Sequence, residues 1–105
     1  MNPSREMTAE VRRALDERWP RVQKAARSLF ETIEGYAASD TRDDESRIAA
    51  RSAAHKLNGT LGTFGRRDAS TVAATIEALL SGDGHEIVSG ELRSLVGRLD
   101  ELIGR

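Results

Sequence analysis

Residues 69–80 read ASTVAATIEALL, and the spacing of their apolar positions decides the fold class. Ala69, Val72, Ala73, Ile76, Leu79 and Leu80 recur at i, i+3, i+4 and i+7, which lines one face of an α-helix. Residues 91–103 repeat the pattern with Leu92, Leu95, Val96, Leu99, Leu102 and Ile103. Between the two, Ser81-Gly82-Asp83-Gly84 is a helix stop and a loop. Ser89 is a candidate N-cap for the later helix, with Glu91 supporting its first turn.

Toward the N-terminus the same pattern continues. A helix is expected to open after Thr41, where Asp43, Asp44 and Glu45 complement the positive end of its dipole, and to run to about Leu61. Pro3 and Pro20 are the only prolines, so little interrupts the remainder. Pro20 suits the first turn of a helix, where its missing N–H is not needed. A helix from there to about Ala37 carries Val22, Ala26, Leu29, Ile33 and Tyr36. A shorter one is expected before it, from Thr8 as N-cap to Arg18, burying Met7, Val11, Leu15 and Ala14. Breaks therefore fall at Trp19-Pro20 and near residues 38–42, 62–65 and 81–86. Trp19 and Phe30 are expected in packing, and Arg66 and Arg67 as solvated charges opening the helix that follows. Short loops between amphipathic helices predict an all-α, up-down antiparallel four-helix bundle with a short additional N-terminal helix. Residues 1–105 form a single domain, with residues 1–7 expected to be disordered.

Bulk properties agree. The 105 residues are 38% hydrophobic and 31% charged, with one Trp, one Tyr and two Phe, a composition of good helix formers. Sixteen basic and 17 acidic residues give a net charge of −1 without a basic block, which argues against nucleic-acid binding. The absence of Cys excludes disulfides, thiolate metal ligands and thiol nucleophiles. No apolar run is long enough to span a bilayer and no signal peptide is evident, so a cytoplasmic protein without membrane contact is expected.

One residue departs from this economy. On a helical wheel advancing about 100° per residue, Ala50, Ala53, Ala54, Leu57 and Leu61 lie opposite His55, with Phe64 beyond them. Asp44, Ile48, Arg51, Ser52, Asn58, Gly59 and Gly62 lie on its own side. His55 is therefore expected in solvent. A lone exposed His is ordinarily an unremarkable surface residue, but Gly59 follows it by one turn inside the helix, where Gly costs about 1 kcal/mol relative to Ala. That cost makes sense where another molecule must come close. Gly62 extends the bare strip and Ile48 offers an apolar contact on it. Gly62 and Gly65 serve equally well to end the helix.

The segment AHKLNGTLGTFG, residues 54–65, resembles the signature of histidine-containing phosphotransfer domains: a His, an apolar residue two later, a Gly four later and a second Gly ten later. Here these are His55, Leu57, Gly59 and Gly65. The Thr63-Phe64-Gly65 ending is similar to the phosphotransfer domain of the chemotaxis histidine kinase. Ile76-Glu77 matches an apolar–Glu pair that the family often shows one helix later. The distinctive match covers about residues 48–80. One position departs: many members carry Lys three residues after the His, where this chain has Asn58. Its own Lys is Lys56, rotated about 100° from His55.

The resemblance implies phosphoryl exchange between His55 and an Asp of a response-regulator receiver domain, within a relay fed by a sensor histidine kinase. Lys56, Arg51 and Asn58 are the candidates to support the phosphate, the two charges being equally readable as solvated helix flanks. Ile48, Ser52, Gly59 and Gly62 are the candidates for receiver docking. Mg²⁺ is expected on the receiver, with no cofactor and no metal site on this chain. No phosphate loop of the kinase or P-loop type is present, so a carrier without ATP-dependent kinase activity is expected, as a monomer. Two other readings stand beside this one. The first is a non-catalytic helical interaction module of the same fold. The second is a metal-binding or hydrolytic bundle using His55, His85 and carboxylates, which the outward His55 disfavours because bundle metals sit between inward-facing side chains.

Overall fold

The computed structural model describes residues 8–39, 43–81 and 89–104. In it the apolar stripes become four helices, α1 (Ala9–Ala38), α2 (Asp44–Thr63), α3 (Arg67–Leu80) and α4 (Ser89–Ile103), and the described residues contain no strand. Two starts are set by side-chain caps. Thr8 Oγ1 accepts from the Val11 N–H at 3.2 Å, as the sequence predicts. Asp43 Oδ1 accepts from the Ser46 N–H at 2.7 Å, satisfying a donor that the helix itself leaves open. That backbone bond, helped by the Ser46 hydroxyl, holds the Asp43 carboxyl below the ordinary carboxylate range. A lowered folded-state pKa means that this cap stabilises at neutral pH and is lost as the pH falls through the lowered value. The expected residue Thr41, the loop residues Gly82, Asp83 and Gly84, and residues 1–7 lie outside the described residues. Ser89, expected at the start of the last helix, is the first residue of α4.

The expected break at Trp19-Pro20 is absent, and the short N-terminal helix is not a separate element. Pro20 lies inside α1, which runs through it for 30 residues. An interior proline deletes one backbone bond and crowds the preceding turn, at about 3 kcal/mol. Tertiary packing of its neighbour Trp19 works against that cost. The Trp19 ring lies 6.1 Å from that of Phe64 at the end of α2, and the Arg66 guanidinium stands 4.2 Å above the Trp19 ring. Arg66 is thus a half-buried partner of Trp19 and not the solvated charge expected of it, whereas Arg67 is exposed.

The burial expected for the first turns is also corrected. Val11 is 50% exposed, Ala14 is exposed and Leu15 only half-buried. At about 1.5 Å per residue α1 is some 45 Å long and α2 some 30 Å, so the start of α1 outruns its neighbours. There it faces the α2–α3 turn across a shallow groove lined by Arg12, Leu15, Asp16, Phe64, Gly65 and Arg66.

Elsewhere the predicted stripes form the core. Ala26, Phe30, Ile33, Tyr36 and Ala37 of α1 meet Ala50, Ala53, Ala54, Leu57 and Leu61 of α2, Ala69, Val72, Ala73, Ile76 and Leu80 of α3, and Leu92, Val96, Leu99 and Ile103 of α4. Each helix packs on the next and α1 closes on α4, without diagonal contacts. Long-range hydrogen bonds give the direction. Arg47 donates to the Leu80 carbonyl at 2.7 Å and Ser70 Oγ lies 3.0 Å from that of Asn58, so rising numbers on α2 pair with falling ones on α3. Gln23 donates to the Ile103 carbonyl at 2.9 Å, and Arg27 to that of Asp100 at 2.9 Å, which makes α1 and α4 antiparallel. Among the described residues no helix is long and apolar enough to cross a membrane.

Arg27 also donates to the Gly104 carbonyl, at 2.6 Å and 2.9 Å, and pairs with the Asp100 carboxylate. It caps the open carbonyls at the end of α4, where a cation is favoured by the helix dipole. Arg27→Ala is expected to lower the unfolding free energy by about 2 kcal/mol, read from urea denaturation. A change below half that size would show that water replaces the arginine at these carbonyls.

Candidate functional site

The apolar face of α2 aims His55. Ala50, Ala54, Leu57 and Leu61 are 0% exposed and Ala53 is 4% exposed, which leaves the opposite edge for the His55 side chain, 72% exposed. The turn that ends α2 then sends α3 back along it. Gly65 takes φ +73°, its N–H bonds the Gly62 carbonyl at 3.1 Å, and the Arg66 N–H bonds that of Leu61 at 2.8 Å. This pair of bonds is the Schellman cap, which places its C′ residue in the left-handed region where Gly carries no Cβ penalty. The glycine ten positions after His55 is therefore a reversal residue.

Small side chains let α3 lie close to α2. Ala50, Ala53 and Ala54 on one helix and Ala69 and Ala73 on the other are buried, and interaxial distance follows the side chains at the contact. Ile76, 0% exposed, anchors α3, and its neighbour Glu77 emerges beside α2. The Glu77 carboxylate oxygen Oε2 lies 2.9 Å from His55 Nδ1. An ionised carboxylate only accepts, so Nδ1 carries the proton of this bond, and in the neutral ring Nε2 carries the lone pair. Glu77 is 28% exposed. Sequence reasoning noted the Ile76-Glu77 pair without giving it this contact, because a separation of 22 residues is not visible to helical periodicity.

The remaining candidates spread around His55. Ile48 is 48% exposed, and Arg51, Ser52, Lys56, Gly59 and Gly62 are exposed. Arg51 and Lys56 make no side-chain hydrogen bond or ion pair among the described residues. They lie on different flanks: on the wheel Arg51 falls about 40° from His55 toward α3, and Lys56 about 100° the other way. Asn58 is half-buried and accepts at Oδ1 from Ser70 Oγ at 2.6 Å. The two strip glycines differ. A Cβ at Gly62 would stand 3.3 Å from Ser70 Oγ, whereas a Cβ at Gly59 would meet nothing within 4 Å. Gly62 thus clears space for α3, and the space above Gly59 is open to whatever arrives from outside.

His85 and Glu86 lie outside the described residues. Among the described residues no cluster of three or more His, Asp or Glu side chains is placed to hold a metal ion. The outward imidazole, its carboxylate partner and the cleared strip form one face of α2 and α3.

No curated protein and no solved structure matches the chain. The family model of the Hpt domain matches residues 4–105. That match spans nearly the whole sequence and contains both helices of the His55 face, so the chain belongs to the Hpt domain family.

Proposed function

We propose that His55 is the phosphoryl carrier of this chain, exchanging the group at Nε2 with an aspartate of a response-regulator receiver domain in a relay that a sensor histidine kinase supplies. Membership of the family makes the chain a phosphotransfer module of two-component signalling, and Hpt domains are phosphocarriers and not kinases. The observation that carries the residue assignment is the His55 Nδ1–Glu77 contact of 2.9 Å on a side chain 72% exposed. It leaves the nucleophilic nitrogen facing out.

In the transfer the Nε2 lone pair attacks phosphorus in line with the aspartyl oxygen that leaves. The N–P bond forms, the P–O bond breaks, and the electron pair returns to the receiver carboxylate. The Nδ1 proton stays in place, and the Glu77 carboxylate compensates the positive charge that the ring acquires, the role of a carboxylate behind a catalytic imidazole. Phosphoryl transfer asks for alignment and charge compensation more than covalent assistance. Mg²⁺ on the receiver supplies most of that compensation, and this chain needs no cofactor of its own. Arg51, unpaired among the described residues and on the α3 flank, is the better placed of the two cations named, with Lys56 reaching round on its flexible stem.

Receiver docking uses Ile48, Ser52 and Gly59 around His55, with Gly62 at the end of the strip. The test is incubation with a phosphorylated receiver, followed by ¹H–¹⁵N–³¹P NMR of the loaded chain. An acid-labile, base-stable label on His55 Nε2 is expected, and a label on Nδ1 or on another residue overturns the reading. Gly59→Ala separates the surface from the fold. Among the described residues the new methyl meets no other side chain or helix within 4 Å, so stability is expected to rise by about 0.5–1 kcal/mol while transfer to the receiver slows. Denaturation and transfer rates measured on one preparation check both, and an unchanged rate removes Gly59 from the interface.

A further inference from the structure

Asn58 stands where many members of the family carry lysine, and it is not free to swing. Its Oδ1 accepts from Ser70 Oγ at 2.6 Å, and the same hydroxyl lies 3.0 Å from the Asn58 backbone carbonyl. Ser70 reaches this position because Gly62 has no side chain, a Cβ there standing 3.3 Å from the hydroxyl oxygen. With the carbonyl end of the amide held against α3, the Nδ2 donors have no partner among the described residues and keep contact with solvent. Asn58 follows His55 by three positions, about 60° round the helix, at a Cβ separation of about 5–6 Å.

We propose that Asn58, clamped by Ser70, donates a neutral hydrogen bond to the phosphoryl oxygens carried on His55, with Ser70 as its positioning residue. This inference rests on His55 being the carrier. An unclamped asparagine turns either end of its amide toward a ligand, and its carbonyl oxygen repels a phosphoryl oxygen. Occupying Oδ1 removes that orientation and leaves the N–H end available. Preorganisation of this kind reduces the ordering cost of each new contact. The site thereby substitutes a fixed dipole for the mobile charge of a lysine, so the phosphoryl group is held by geometry and not by an ion pair.

Hydrogen bonds to the more charged form favour it, so the donor should lower the second pKa of the bound phosphoryl group. The test uses the full chain loaded with phosphoramidate, so that no receiver is needed, and follows the ³¹P resonance against pH. Asn58→Asp keeps an oxygen for Ser70 but replaces the donors with a negative charge. It is expected to raise the phosphoryl pKa by about one unit. Ser70→Ala leaves Asn58 in place but unclamped. A smaller rise is expected, with transfer to a receiver slowed about threefold. A wild-type titration in Asn58→Asp overturns the proposal. A wild-type titration in Ser70→Ala beside a shifted Asn58→Asp overturns the clamp. His55→Gln serves as the independent control: it should take up no label, and persistent label would overturn the carrier assignment itself.

Discussion

His55→Gln is expected to abolish phosphoryl loading, from a receiver or from a small phosphodonor, while leaving the bundle intact. The first half follows from chemistry. Glutamine offers an amide of similar reach, but its nitrogen lone pair is delocalised into the carbonyl and does not attack phosphorus. With no Cys in the chain and no second His among the described residues, neither replaces the imidazole on this face. The second half follows from burial. The His55 side chain is 72% exposed and touches α3 through a single hydrogen bond. Substitutions at such sites change stability by roughly 0.5 kcal/mol or less. Radiolabel transfer and a urea denaturation curve on the same preparation decide the matter. Loss of label together with a large loss of stability would mean that the histidine holds the fold, and a retained label would move the chemistry to another residue.

Glu77→Ala is expected to slow single-turnover transfer by about tenfold, the lower range for losing a hydrogen bond to a charged group. Without the carboxylate, the Nδ1 proton has no fixed partner and the ring divides between tautomers and orientations. Fewer molecules then present Nε2 to phosphorus, and the charge that develops on the ring is uncompensated. Glu77→Gln keeps an acceptor and loses the charge, so it should fall between alanine and wild type. The readout that distinguishes positioning from mere folding is ¹⁵N NMR of the imidazole. Wild type should hold the proton on Nδ1 and alanine should not. A wild-type tautomer and a wild-type rate in Glu77→Ala would reduce the contact of 2.9 Å to an incidental surface pair, as many exposed ion pairs are.

Much of the fold was legible from the pattern of apolar residues. The stripe of α3 placed Ala69, Val72, Ala73, Ile76 and Leu80 inside, and all are buried. The wheel of α2 placed His55 outside, and it is outside. The miss at Pro20 is instructive. Local rules price a proline in the middle of a helix as a break, and they cannot price the Trp19, Phe64 and Arg66 cluster that stabilises the continuous α1. The error at Val11 and Ala14 has the same source. Apolar spacing marks a face that is able to be buried, and only the lengths of the neighbouring helices decide whether anything covers it.

Apart from the continuity of α1 through Pro20, the sequence alone determined which segments are helical, which edge of each is apolar, and that the imidazole stands away from the apolar edge of α2. These properties repeat every 3.6 residues or so and need only a dozen neighbours to read. The tertiary structure alone decided that Glu77 meets His55 and that Ser70 meets Asn58. Both contacts depend on the register of two antiparallel helices, which the reversal at Gly65 and the close packing of facing alanines set together. A slide of α3 along α2 by one helical turn, about 5.4 Å, would keep the apolar faces together and part both polar contacts.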